Sequence, residues 1–80
     1  MTLVDVRAGT KVKVCGGGDA VGFSASLAGL GIHVGDEVVV VRSAPFRGPV
    51  LVEVPATGVR VALGRGMAER VRVEPAIPHA

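Results

Sequence analysis

Eighty residues with 49% hydrophobic and 20% charged side chains lie far from the low-apolar, high-charge compositions that stay disordered. A chain this short buries only about 60% of its unfolded surface, so it has room for one compact core. Nine Lys and Arg against seven Asp and Glu leave a net charge of +2, without a basic run, and two Phe with no Trp or Tyr offer no stacking platform for single-stranded nucleic acid.

The single cysteine, Cys15, excludes an internal disulfide, and one thiol is compatible with a reducing compartment. The longest strictly apolar run is Val38 to Val41, against about 20 residues for a membrane-spanning helix. Asp5 and Arg7 interrupt the stretch where a signal peptide needs an apolar region. The expectation is a soluble cytoplasmic protein.

In chain order, Leu3 to Val6 reads as a short lead-in with both apolar ends under the core, followed by a turn at Gly9-Thr10. Lys11 to Cys15 alternates at period two, which puts Val12 and Val14 on one face and both lysines in water. Cys15, at the end of this strand, is expected to pack as a small apolar group. Gly16-Gly17-Gly18-Asp19 connects strand to helix, with Asp19 placed to cap the helix N-terminus. This loop and Gly64-Arg65-Gly66 both fail the glycine-rich phosphate motifs: Val21 and Glu69 stand where a third glycine is needed, and no Lys-Ser/Thr pair follows,.

Phe23, Leu27 and Leu30 recur at i, i+4 and i+7, one apolar face of a short helix. Gly31 is placed to end it in the left-handed conformation, and Gly35-Asp36 turns the chain into a strand from Glu37 to Arg42. A proline-bracketed turn, Ala44-Pro45-Phe46-Arg47-Gly48-Pro49, leads to a second strand, Val50 to Val54, expected to pair with the first as an antiparallel hairpin. Pro55 to Gly58 forms another turn, and Val59 to Leu63 alternates again as a third strand of the meander. Met67 to Arg70 suits one helical turn, and Val71 to Glu74 closes the pattern. Pro75 to Ala80 is proline-punctuated and is expected to form a flexible tail, leaving a single domain over residues 1–74.

Five short strands, one helix after the first and one helical turn before the last imply a mainly β fold. A flat sheet of this size would leave an apolar face wet, so a small, partly open SH3-like β-barrel with an inserted helix is expected.

The residues Leu27-x-x-Leu30-Gly31-Ile32-x-x-Gly35-Asp36-x-Val38-x-Val40-Val41-Arg42, then Ala44-Pro45-x-x-Gly48-Pro49-Val50, then Val61-Ala62-Leu63-Gly64-Arg65 and Ala68-x-x-Val71-x-Val73 together resemble the FeoA family of ferrous-iron transport proteins. The resemblance covers nearly the whole chain. It implies an SH3-like barrel, a cytoplasmic accessory partner of a FeoB-type ferrous-iron permease, and no enzymatic activity. Related domains are fused to iron-dependent transcriptional repressors, so a regulatory or interaction module is the alternative it implies. Ser24 and Val34 stand where the family often has an arginine and a proline, so contacts attributed to that arginine do not transfer.

From the residues themselves, no catalytic site is expected: Cys15 could meet His33 or His79 only through the fold, and candidates for converging acids, bases or a nucleophile beside a base are sparse. His33, Asp36 and Glu37 form the only local cluster of metal-ligand types, but adjacent residues entering a strand diverge, so neither metal nor cofactor is assigned. A weak metal-binding protein remains a minor alternative, and a homo-oligomer is left open. The candidate partner-binding residues are Pro45, Phe46, Arg47 and Pro49, because prolines reduce the ordering cost of binding and Phe and Arg suit interface hot spots. Phe46 folded back as a plug over the open barrel end is the competing arrangement.

Overall fold

The computed structural model describes residues 1–17 and 22–76. A 3₁₀ turn, Leu3–Asp5, leads into β1 (Lys11–Gly17), α1 (Phe23–Gly29), β2 (Glu37–Ser43), β3 (Val50–Val54), β4 (Val59–Leu63), α2 (Arg65–Ala68) and β5 (Val71–Pro75). All strand pairs are antiparallel, in the order β4-β3-β2-β1-β5. β2, β3 and β4 form the expected meander, and β5 returns to pair with β1. The architecture is the mainly β, SH3-like barrel with an inserted helix that the residue pattern implies.

Valine parity builds the core. Val12, Val14, Val38, Val40, Val50, Val52, Val54, Val71 and Val73 are buried, each at alternate positions of its strand, because period two sends successive side chains to opposite faces. Leu3, Val6, Phe23, Leu27, Ile32 and Ala68 close the barrel interior. No charged or polar residue is buried among them. The two ends of the N-terminal lead-in, Leu3 and Val6, lie in this core as expected, and Asp5 ties the lead-in by accepting from the Thr2 N–H at 2.9 Å. The edge of β5 is covered in part: Thr2 bridges Arg72 and the Val73 N–H donates to the Met1 carbonyl at 2.9 Å.

Two bulges interrupt the alternation. On β1, Val14 pairs with Val73 and Gly16 with Arg72, leaving Cys15 as the extra residue. On β2, Val40 pairs with Val52 but Arg42 pairs with Leu51, leaving Val41 as the extra residue. Bulges re-aim the side chains that follow them. Without the second bulge, Arg42 would share the buried face of Val38 and Val40; with it, Arg42 is exposed.

The helix differs from its expected form at both ends. Its N-cap is Gly22, with φ of +91° and no side-chain cap bond, whereas the expected Asp19 cap lies outside the described residues. At the other end α1 stops at Gly29, and Leu30 is 38% exposed rather than part of the buried stripe. The physical reason is the ending itself. Gly31, at φ +92°, donates to the Ala28 carbonyl at 2.9 Å and Ile32 donates to Leu27 at 3.0 Å, the paired bonds of a Schellman motif. The reversal buries Ile32 instead of Leu30.

α2 begins at Arg65, earlier than the expected turn at Met67, because Gly64 serves as N-cap and Gly66 sits inside the helix. A single turn is held by its tertiary contacts rather than by propensity; here the fully buried Ala68 anchors it. β5 runs to Pro75, the first residue of the expected tail.

Candidate functional site

The β2–β3 turn projects from one end of the barrel. The Gly48 N–H donates to the Pro45 carbonyl at 3.1 Å and the Ala44 N–H to the Pro49 carbonyl at 3.0 Å. Between them, Phe46 and Arg47 both hold left-handed backbone, φ of +58° and +60°. Positive φ at both central residues is the signature of a type I′ turn, which Asn-Gly adopts readily and other L-residues resist at about 1–2 kcal/mol each. Gly48 is required for another reason: a Cβ there would come within 2.8 Å of the Ala44 Cβ and 3.1 Å of the Pro45 carbonyl.

Phe46 is 100% exposed. The plug arrangement is therefore excluded, since the ring touches no part of the barrel mouth. Pro45, Arg47 and Pro49 are exposed beside it, so the structure places all four sequence-selected residues on one protruding tip. Two side-chain contacts spanning 22 positions join this end of the hairpin to α2. Arg47 Nη2 lies 3.4 Å from Glu69 Oε1, and Arg65 Nη1 lies 3.3 Å from Ser43 Oγ. Both are exposed and add little to stability, but they lay two arginines along the base of the tip.

Beside the tip is a groove of about 200 Å³ lined by Arg42, Ala44, Pro49, Leu51 and Ala62. Sequence reasoning did not select Arg42, Leu51 or Ala62. The bulge at Val41 is what brings Arg42 onto this face, and nothing in the valine-rich run announces it.

The other candidates separate. The Asp36 carboxylate accepts from the His33 N–H at 2.8 Å and stands 3.5 Å from His33 Nδ1, while the Asp36 N–H donates to the His33 carbonyl at 3.0 Å. It holds the turn, with Gly35 at φ +95°. Glu37 instead lies in register with Lys13 on β1. Among the described residues no three His, Cys, Asp or Glu side chains gather as a metal site.

Cys15 is exposed, contrary to the core packing expected of it. Parity explains this, because with Val12 and Val14 inward the residue after them faces out with Lys11 and Lys13. Its thiol donates to the Lys13 carbonyl at 3.7 Å. Desolvation first, then the hydrogen bond and charge of Glu74, raise its pKa above the ordinary thiol range, the opposite of an activated nucleophile. No helix among the described residues is long and apolar enough to cross a membrane.

Comparison with known proteins follows the same fold. The FeoA domain family matches residues 1–75. The crystal structure of an iron uptake regulatory protein, FeoA, is 30% identical, covering 92% of this chain and 93% of its own, with a TM-score of 0.78. The NMR structure of a FeoA-like protein from Clostridium acetobutylicum is 25% identical over 100% of this chain and 91% of its own, with a TM-score of 0.80. The crystal structure of ScaR with bound Cd2+ shares the fold at 20% identity and a TM-score of 0.82, matching 95% of this chain but 35% of that longer one. Curated protein sequences gave no match. With the family match running from residue 1 to residue 75 over a fold that superposes on solved FeoA proteins, the chain belongs to the FeoA domain family.

Proposed function

We propose that this protein is a non-enzymatic, cytoplasmic accessory protein of ferrous-iron uptake that docks on the cytoplasmic part of a FeoB-type permease through Pro45, Phe46, Arg47 and Pro49. The observation that carries the docking site is the fully exposed Phe46 ring on a turn whose two central residues hold left-handed backbone. An aromatic side chain in water forgoes about 1.5–3 kcal/mol of burial, and backbone strain concentrates at ligand-contacting sites. Family membership and an iron uptake protein among the similar structures support the iron connection. The raised Cys15 thiol and the dispersed carboxylates support a binding rather than a chemical role.

The test is co-purification of the full chain with the detergent-solubilised permease, together with ferrous-iron uptake in cells lacking this gene. Docking predicts a complex that Phe46→Ala abolishes, and uptake that falls while permease abundance is unchanged. Unchanged uptake overturns the transport role.

The structural match to part of the longer ScaR chain favours one second reading, a regulatory module that associates with a transcription factor. A neighbouring permease reading frame supports the first reading, and a neighbouring helix-turn-helix regulator the second.

A further inference from the structure

The groove beside the tip has the makings of a socket. Ala44, Pro49, Leu51 and Ala62 give it apolar walls, and Arg42 stands at its rim. The arginines around this end are not equivalent. Arg47 lies against Glu69 and Arg65 against Ser43, while the Arg42 guanidinium makes no hydrogen bond or ion pair with another described residue. The bulge at Val41 puts it there: Arg42 pairs with outward-facing Leu51 in place of continuing the buried row of Val38 and Val40. An exposed arginine without a partner, beside an apolar cleft and next to a fully exposed aromatic ring, presents two complementary handles to one ligand.

We propose that this groove takes a surface segment of a protein partner, seating one apolar side chain on Ala44, Pro49, Leu51 and Ala62 and pairing a nearby carboxylate with Arg42, while Phe46 enters the partner. The proposal rests on the docking reading above and names the chemistry that reading leaves open, an acidic segment with an apolar residue. Arginine matches a carboxylate with two parallel donors, and complementary charge sets specificity and association rate.

Charge decides against one other occupant and shape against a second. A second copy packed tip to groove would bring Arg42, Arg47 and Arg65 against their own counterparts, with Glu69 already held by Arg47, and like-charge apposition is unfavourable. An anionic bilayer would satisfy the arginines and receive Phe46, but a flat surface cannot fill a concave groove behind the tip. The acidic protein segment uses both features.

The experiment measures affinity of the full chain for the detergent-solubilised ferrous-iron permease across a salt series. The variants are Arg42→Gln, Ala62→Glu, Phe46→Ala and, as a control on the outer face of β1, Lys13→Gln. Arg42 and Ala62 are exposed, and circular dichroism confirms that each variant stays folded. Arg42→Gln is expected to weaken binding by about tenfold or more, as loss of a paired interface charge does, and to flatten the salt dependence. Ala62→Glu places a carboxylate of the chain's own in the groove and is expected to weaken binding to a similar degree, while Lys13→Gln has no effect.

If Phe46→Ala alone weakens binding, the docking reading stands and the socket is overturned. If the wild-type chain does not bind the permease, both fall. Binding to phosphatidylglycerol vesicles that depends equally on Arg42, or self-association on concentration that Arg42→Gln abolishes, assigns the surface to a membrane or to a second copy and overturns the protein segment.

Discussion

The ring of Phe23 occupies the space that a side chain on Gly17 would need, and the Arg70 guanidinium stands over the same ring, 4.9 Å from its centroid. One aromatic thereby joins β1, α1 and the segment after α2. Gly17→Ala forces the ring out of its rotamer or the strand away from the helix. Overpacking of this kind costs about 1–3 kcal/mol, read as a lower urea midpoint with an unchanged slope. Arg70→Ala is expected to cost less, about 0.5–1 kcal/mol.

The strained turn makes a prediction with opposite signs for stability and binding. Replacing Phe46-Arg47 by Asn-Gly supplies the sequence that a type I′ turn prefers. The double variant is expected to gain about 1–2 kcal/mol of stability by releasing left-handed strain, raising Tm by roughly 4–8 °C per kcal/mol. It is also expected to lose permease binding with the ring. A melting curve and a co-purification on the same variant check both.

Cys15 supplies a pH-dependent readout. Because desolvation and Glu74 raise its thiol pKa, the folded protein carries less thiolate at a given alkaline pH than an unperturbed cysteine, and thiolate is the nucleophile. Iodoacetamide alkylation is expected to run slower in the folded chain than in urea, to quicken as pH rises, and to quicken at fixed pH in Glu74→Gln. The linkage has a definite sign. The folded state keeps its proton to higher pH than the unfolded state, so this contribution to stability is present below the unfolded thiol's pKa and is lost as pH rises through the folded one.

Asp36 is expected to matter to the turn. Asp36→Ala removes the carboxylate that accepts from the His33 N–H at 2.8 Å, and a loss of about 1 kcal/mol in chemical denaturation is the expected cost. Asp36→Asn, which keeps an acceptor, is expected to restore part of it.

The legible part of the fold was the part governed by period. Val12 and Val14, then Val50, Val52 and Val54, announce strands with a buried face, and Gly31 announces the end of a helix, because parity and positive φ are properties of single segments. What escaped depends on two segments at once. The bulge at Val41 exists only relative to the strand across from it, so the outward turn of Arg42 could not be read from β2 alone, whereas the exposure of the thiol follows from the parity of β1 itself. Leu30 followed the helical period but not the reversal that buries Ile32 in its place. The tip residues were visible from composition, yet whether Phe46 faced the barrel or water hung on the backbone angles of the turn. The walls of the groove, Leu51 and Ala62, looked like ordinary strand residues until β3 and β4 were laid side by side.

The extra residue at Val41 also bears on how chains of this fold are compared. Position 42 belongs to the outer surface only because one residue is counted twice against its neighbour strand. Equating it, without a gap, with the same position of an unbulged strand matches a wall-facing arginine to a core side chain. Deleting Val41 would make the same error in the molecule itself, carrying a guanidinium into an interior where no polar or charged side chain is buried among the described residues to receive it.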